Sequence, residues 1–567
     1  MGVSNCGDRP SPHPCLKLTR NPANTDRRQA FALHTRVGSG SLPFELIHDM
    51  ESHMTIRPLS QPATQAVSDQ CYLTAGLTAC LLGAASLLLI TPGSAEAFDV
   101  KFRAFNESGV ELTVRQVNQR MTNSRVANLS AGTINLATLE AVTLNENYSS
   151  GGKWTMPFPG SGLGMMVHWN TANTGYSTFL LDRQGKGFSA AETVILNQVL
   201  AEDAKRQFDA ALTAKYTLLP GFTPSAAFNS LKGQLDPCFT RLTAAVTASD
   251  KGRIGQECLD LVAQAMTVMM REVGTQRAGS PELSDSARWG VTITPEPSMP
   301  LSTDTRKIDD LVALFEPKHR WARIEMVGDG TDNLPRIKAI VDYANAHGVK
   351  TMGQLFDSTS QATVPLATFK NRVNSVLNYA GMEQVTAWEV GNEVNGGWLG
   401  SNVPAKITYA ASSVKAKWPG KNTVLTFYWT SIQDELSSSL FNWIGKYATA
   451  ALVANVDAVA LSIYTDEQPL NFTWDRVMSR LAERFPGKAV MSGELDFDPR
   501  GYYKEGAKTL SAEQGYIAYI KNRYASSFAT PNSIGGGFWW YFSPDMVGRT
   551  SKWQALRDIY CAAYGCK

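Results

Sequence analysis

Trp388-Glu389-Val390-Gly391-Asn392-Glu393-Val394-Asn395 and, about a hundred residues later, Val490-Met491-Ser492-Gly493-Glu494 are the stretches that decide how this chain reads. Each is an apolar run of strand character that ends by delivering a carboxylate. A glutamate at the end of a buried strand is costly unless it is paired or used. Both stretches fall in one repeating pattern. From Arg288 onward strands alternate with amphipathic helices, and the two acids close the fourth and seventh strands of that alternation.

The strands expected from the pattern are Trp289–Thr294, Ala322–Val327, Thr351–Phe356, Val385–Asn392, Thr423–Tyr428, Ala458–Tyr464, Ala489–Gly493 and Gly537–Phe542, with helices such as Thr305–Phe315, Leu334–His347, Ala367–Tyr379 and Trp474–Phe485 between them. Eight such units are the size of a (β/α)₈ TIM barrel, which takes about 250 residues. A doubly wound open sheet is the runner-up, weakened because no glycine-rich phosphate loop follows the first strand. The expected organisation is an N-terminal extension and signal peptide over 1–97, a β-sandwich-like domain over 98–187, a helical segment over 188–280 and the α/β barrel over 281–567. The sandwich rests on short alternating strands between turn residues. Within it Trp154, Trp169 and Tyr176 read either as core or as a sugar-stacking platform, with core the commoner fate of such rings. In the helical segment, Ser189-Ala190-Ala191-Glu192 has the form of a capping box.

Composition narrows the partners. The chain has 567 residues, 43% hydrophobic and 18% charged, with a net charge of +2, which favours neither a nucleic-acid groove nor a polybasic membrane patch. The apolar run Tyr72–Ile90, followed by Pro92 and the small residues around Glu96, reads as a signal peptide cleaved after Ala97, with translation starting at Met50 or Met54. An uncleaved single-span anchor is the alternative. Cleavage implies an exported protein, periplasmic or extracellular, with no stable membrane anchor. After Ala97 the cysteines are Cys238, Cys258, Cys561 and Cys566, which in an exported chain suggest the local disulfides Cys238–Cys258 and Cys561–Cys566. The histidines there, His168, His319 and His347, are scattered and have no metal-ligand spacing, so no metal is expected; His319 and His347 read as surface residues.

Strand side chains alternate, so Glu389, Gly391 and Glu393 should share one face of the fourth strand, and Val490, Ser492 and Glu494 one face of the seventh. If those faces point inward, Glu393 and Glu494 meet at the carboxyl end of the barrel, where active sites of this fold lie. Glu389, deeper in the barrel, reads as a satisfied structural acid.

The segment 388–395 resembles the strand-four signature F-E-V-x-N-E-P-N of the retaining (β/α)₈ glycoside hydrolases of clan A, and Gly493-Glu494 is similar to the G-E pair closing their seventh strand. The resemblance covers about 288–567. It implies hydrolysis of a β-linked poly- or oligosaccharide by double displacement, without a cofactor. Glu393 would then be the acid/base, Glu494 the nucleophile and Asn392 the contact to the sugar 2-hydroxyl. Gly537-Phe-Trp-Trp-Tyr-Phe-Ser543 resembles the clan's closing strand, which implies Trp540, with Trp539 second, as the floor under the sugar. Arg323 resembles the arginine that keeps the nucleophile ionised, and Tyr464 the tyrosine that touches it. Trp398, Tyr428, Trp429, Tyr502 and Tyr503 would line the mouth with aromatic faces suited to sugar rings. Two departures, Gly391 for a frequent tryptophan and Val394 for the usual proline, leave the family within the clan open. The competing expectation is a non-catalytic carbohydrate-binding or scaffold protein of an exopolysaccharide system. An enolase-type magnesium enzyme would need an acid ending the fifth strand, where Phe427-Tyr428-Trp429 supplies none.

Overall fold

The computed structural model describes residues 96–121, 131–144, 149–150, 152–326, 333–400, 402–432, 435–465, 469–497 and 512–566. The expected signal peptide, its start and Tyr502 and Tyr503 lie outside these residues. No helix among the described residues is long and apolar enough to cross a membrane.

The N-terminal strands are β1 (Phe98–Arg103), β2 (Ala131–Asn135), β3 (Ala141–Leu144), β4 (Ser149–Ser150), β5 (Lys153–Phe158), β6 (Leu163–Thr171), β7 (Gly175–Leu181) and β8 (Glu192–Ile195). They form two separate four-stranded sheets, in the orders β4-β5-β1-β8 and β3-β2-β6-β7. Trp154, Trp169 and Tyr176 are buried, and the Trp169 indole N–H donates to Gln256 Oε1 at 2.9 Å, so these rings are core and not a platform. The capping-box expectation is overturned. Glu192 belongs to β8, and the helix begins at Leu196 behind Ile195, whose side chain makes no capping bond. Parallel pairing of β8 with β1 takes up the residues that the local pattern offers to a helix start.

Three helices follow: α1 (Leu196–Leu218), α2 (Ala226–Ala244) and α3 (Ala248–Ala278). Cys238 of α2 is bonded to Cys258 of α3, and near the C-terminus Cys561 is bonded to Cys566. Helix α3 lies against the barrel. A methyl group on Gly274 would sit 1.9 Å from the Ala525 carbonyl oxygen, so the approach requires glycine. Arg277, buried, donates to the carbonyls of Phe528 (2.8 Å) and Thr530 (2.9 Å).

The barrel strands are β9 (Arg288–Ile293), β10 (Arg320–Glu325), β11 (Lys350–Gln354), β12 (Ala387–Gly391), β13 (Asn422–Tyr428), β14 (Ala458–Tyr464), β15 (Ala489–Asp496) and β16 (Ser533–Trp539). They pair in parallel and close β16 onto β9 in an eight-stranded barrel. Its lower interior is a small apolar plug of Trp321, Met352, Ala387, Val424, Ala458, Ala460, Met491 and Phe538. Because inward side chains recur every second residue, the next inward level along β10 to β14 is Arg323, Gln354, Glu389, Thr426 and Ser462, all buried. The interior thus turns from apolar to polar in one step towards the carboxyl ends of the strands.

His319 is not a surface residue. It is fully buried beneath the barrel, with Nδ1 2.9 Å from the Tyr560 hydroxyl and Nε2 3.1 Å from the Ser284 carbonyl, and burial pulls its pKa down. An isolated histidine between a helix and a strand carries no sequence mark of this. His347 is exposed.

Candidate active site

The simple alternation expected for the fourth and seventh strands does not hold, and the way it fails builds the site. In β12, Glu389 pairs with Val424 but Gly391 pairs with Leu425, so two residues of β12 are spent against one of β13. This irregularity turns Gly391 away from the interior: a methyl group there would lie 2.6 Å from Ile407 Cγ2 in the outer helix α4 (Val403–Lys417). Glu389 and Gly391 therefore face opposite ways. The same crowding leaves no room for a larger side chain at this position. The strand ends at Gly391, and Glu393 lies two residues beyond it with φ of 50°, a left-handed backbone unusual for a residue with a Cβ.

Strand β15 breaks the alternation a second time. Leu461 of β14 is opposite Ser492, but Ile463 is opposite Leu495, which inserts one residue at Gly493–Glu494. Ser492 points outward to a hydrogen bond with Ser527. Gly493 points inward, where a methyl group would meet Thr426 Cγ2 at 2.8 Å and Ser462 Oγ at 3.0 Å. The inserted residue lets Glu494 face inward as well. Ser492 and Glu494 thus lie on opposite faces, against the expectation. A β-bulge that re-aims one side chain beside a functional site explains both strands.

Arg323 is the centre of the arrangement. Its Nε donates to Glu389 Oε2 at 2.7 Å and its Nη2 reaches Glu494 Oε1 at 2.6 Å, with all three side chains buried. Its guanidinium carbon sits 5.6 Å from the centre of the Trp540 ring. Thr426 donates to the other oxygen of Glu389. The Tyr464 hydroxyl donates to Glu494 Oε2, and Ser462 Oγ accepts the Glu494 backbone N–H at 3.1 Å. Glu393, also buried, accepts a hydrogen bond on Oε2 from Ser358 Oγ at 3.1 Å.

The electrostatics differ from the simple expectation that an arginine keeps Glu494 low. Burial dominates and raises the Glu494 pKa above its ordinary value; Arg323 opposes this, Asp357 adds to it, the Tyr464 hydrogen bond opposes it and Glu389 adds to it. Glu389, paired with the same arginine, repels a charge on Glu494 and offsets part of Arg323's attraction. Burial also disfavours the Arg323 cation, but Glu389 and Glu494 outweigh it and hold the pKa up. Tyr464 is pushed well above the usual phenol value, first by burial and then by the charges of Glu494 and Glu393, so its hydroxyl stays protonated and keeps donating. Glu494 accepts from the Tyr464 hydroxyl, and the Glu393 charge bears on the same phenol.

Asn392 is fully buried, and neither atom of its amide meets a hydrogen-bond partner among the described residues. Trp540 is half-buried beside Arg323, whereas Trp539 is buried on the other side of the strand and donates to Asp545 Oδ2 at 2.9 Å. Trp398 is half-buried and meets Tyr428 edge-on at 5.4 Å, and Tyr428 lies 6.3 Å from Tyr464. These rings lead outward from Glu494. Trp429 is fully buried.

Sequence reading missed three contributors. Ser358 and Thr426 carry no motif, and their roles come from neighbours distant in the chain. Asn395, inside the quoted stretch, donates to the carbonyls of Tyr428 and Ser438, both at 2.9 Å, and accepts from the Tyr428 N–H at 2.8 Å, tying the Glu393 turn to the end of β13. Its place at the end of the Asn-Glu-Val-Asn run is the one available signal. No cluster of metal-ligating side chains occurs among the described residues.

No family model matches the sequence, and no curated protein does. Solved glycoside hydrolase barrels do match. One is the GH53 catalytic domain of Ignisphaera aggregans, 16% identical, with 48% of this chain and 99% of that chain covered and a TM-score of 0.34. A second is the endo-1,4-β-mannanase of Rhizomucor miehei, 14% identical, with 48% and 94% covered and a TM-score of 0.34. A third is the intracellular xylanase of Thermoanaerobacterium saccharolyticum, 16% identical, with 46% and 87% covered and a TM-score of 0.32. At such identities the likeness concerns the barrel alone, and nothing about the chemistry of this chain follows from it.

Proposed function

We propose that this chain is an exported glycoside hydrolase that cleaves a β-linked poly- or oligosaccharide with retention of configuration. The observation that carries the reading is the setting of Glu494: a carboxyl turned inward by a bulge, held on one oxygen by Arg323 and on the other by Tyr464, with Glu393 acting on the same tyrosine. Two buried carboxyl groups of different surroundings at one barrel mouth suit double displacement.

In the first step protonated Glu393 gives its proton to the glycosidic oxygen while Glu494 attacks the anomeric carbon. The C–O bond to the leaving group breaks, and a glycosyl ester forms on Glu494. In the second step ionised Glu393 takes a proton from water, whose oxygen attacks the anomeric carbon and releases Glu494. When Glu494 is esterified it loses its charge, and Glu389 then remains as the counter-ion that keeps Arg323 neutralised. The unpartnered amide of Asn392 suits a sugar hydroxyl, and Trp540, with Trp398 further out, supplies aromatic faces for sugar rings. These steps use side chains of the chain alone.

The test is trapping with 2-fluoro glycosides of several β-linked sugars, followed by peptide mapping. A label on Glu494, together with loss of turnover in Glu494→Gln, is expected. A label elsewhere, or full activity in Glu494→Gln, refutes the assignment. Binding of polysaccharide with no turnover across the panel would favour the scaffold alternative.

A further inference from the structure

The first acid of the site has a partner that no sequence signature contains. Asp357, just past the end of β11, caps a short helix, α5 (Ser358–Thr363), by accepting the Thr359 N–H at 3.0 Å. The chain therefore enters α5 in a set conformation, and Ser358 at its first position is buried with its Oγ 3.1 Å from Glu393 Oε2. At its other end α5 is held by Lys406 of α4, the helix that follows the Glu393 turn. The Lys406 ammonium, also buried, donates to the Gln361 carbonyl at 2.6 Å. Two consecutive strand-to-helix connections are thus clamped together, and the bond between Ser358 and Glu393 spans the gap between them.

We propose that Ser358 is a positioning residue for Glu393, fixing which carboxyl oxygen carries the catalytic proton and stabilising the ionised carboxylate that activates water. The inference rests on the double-displacement reading above. A protonated carboxyl has one donor oxygen and one acceptor oxygen. While Ser358 donates to Oε2, that oxygen is the acceptor, and the proton resides on Oε1. In the second step the same hydroxyl donates to an ionised group, where a hydrogen bond is stronger. Among the described residues, Tyr464 on β14 also feels the Glu393 charge, and Asp357 is next to Ser358 in the chain. Tyr464 has a single hydroxyl proton, and it goes to Glu494. Arg323 is engaged by Glu389 and Glu494. The Ser358 hydroxyl bond to Glu393 Oε2 favours the ionised form of Glu393.

Full-length Ser358→Ala and Ser358→Thr test this, with two readouts. The upper limb of the kcat/KM profile should move up by about one pH unit in the alanine variant and stay in place in the threonine variant, which keeps the donor. kcat should fall about tenfold in Ser358→Ala with KM little changed. A ¹³C titration of the Glu393 carboxyl should show the same displacement without turnover. An unmoved limb and titration in folded Ser358→Ala, or a threonine variant that behaves like alanine, overturns the inference while leaving double displacement standing. If Glu393→Gln retains wild-type kcat and the same upper limb, both fall.

Discussion

Replacing Arg323 by methionine removes the cation paired with both Glu389 and Glu494, and the size of the effect can be worked out. The guanidinium nitrogens lie 2.7 and 2.6 Å from the two carboxyl groups. For charge centres about 4 Å apart at an effective dielectric of about 20, each attraction is worth about 4 kcal/mol, or about three pK units. The Tyr464 donor to Glu494 remains and offsets part of the loss, so a net rise of about two units for Glu494 is expected. Its pKa is already raised in the wild type, so the acid limb of kcat/KM should lie above the ordinary glutamate value of 4.5 and move further up in Arg323→Met. The sign for stability follows. A folded carboxyl with a raised pKa holds its proton above pH 4.5 while the unfolded chain releases it, so stability falls as pH rises from 4.5 through the folded pKa. Arg323→Met should therefore lose about 3–5 kcal/mol near pH 7 and recover much of it near pH 4.5, where Glu494 can be neutral. Urea unfolding at both pH values and the pH–rate profile measure the two effects. An acid limb that stays in place, or a stability loss equal at both pH values, would refute the account of Arg323.

Other outcomes follow from single contacts. Gly493→Ala puts a methyl group 2.8 Å from Thr426 Cγ2 and 3.0 Å from Ser462 Oγ, which displaces Glu494; kcat should drop by an order of magnitude or more with a stability loss of about 1–3 kcal/mol, read by kinetics and thermal unfolding. Glu393→Gly should abolish turnover yet raise stability by about 1 kcal/mol, because glycine accepts the φ of 50° without strain; an unfolding midpoint below that of the wild type would count against the strain. Arg277→Met leaves the Phe528 and Thr530 carbonyls without their donor and should cost about 3 kcal/mol in chemical denaturation, with kcat unchanged in the folded enzyme.

Much of the site's inventory was legible through the resemblance of the fourth, seventh and eighth strands to a known clan. That resemblance implied roles for Arg323, Tyr464 and Trp540, and the structure brings all three to Glu494 or to its arginine. Glu389 was legible as a satisfied acid, and its ion pair with Arg323 fits that reading. The facing of the strands was not legible. Strict alternation put Ser492 and Glu494 on one face, and a bulge separates them. His319 read as exposed because nothing local shows that Tyr560, far along the chain, would close over it. The pKa of Glu494 went the other way from expectation because the depth of burial and the nearness of Asp357 and Glu389 are properties of the packed interior.

The order of strands and helices, the apolar lower strands and the acids near the ends of the fourth and seventh are local patterns, set by side-chain period and propensity along the chain. Where those acids point, what they touch and how tightly they hold their protons were decided only when eight strands closed. Closure sets the register between neighbours, and one inserted residue in β15 was enough to turn a carboxylate from the helix layer into the barrel mouth.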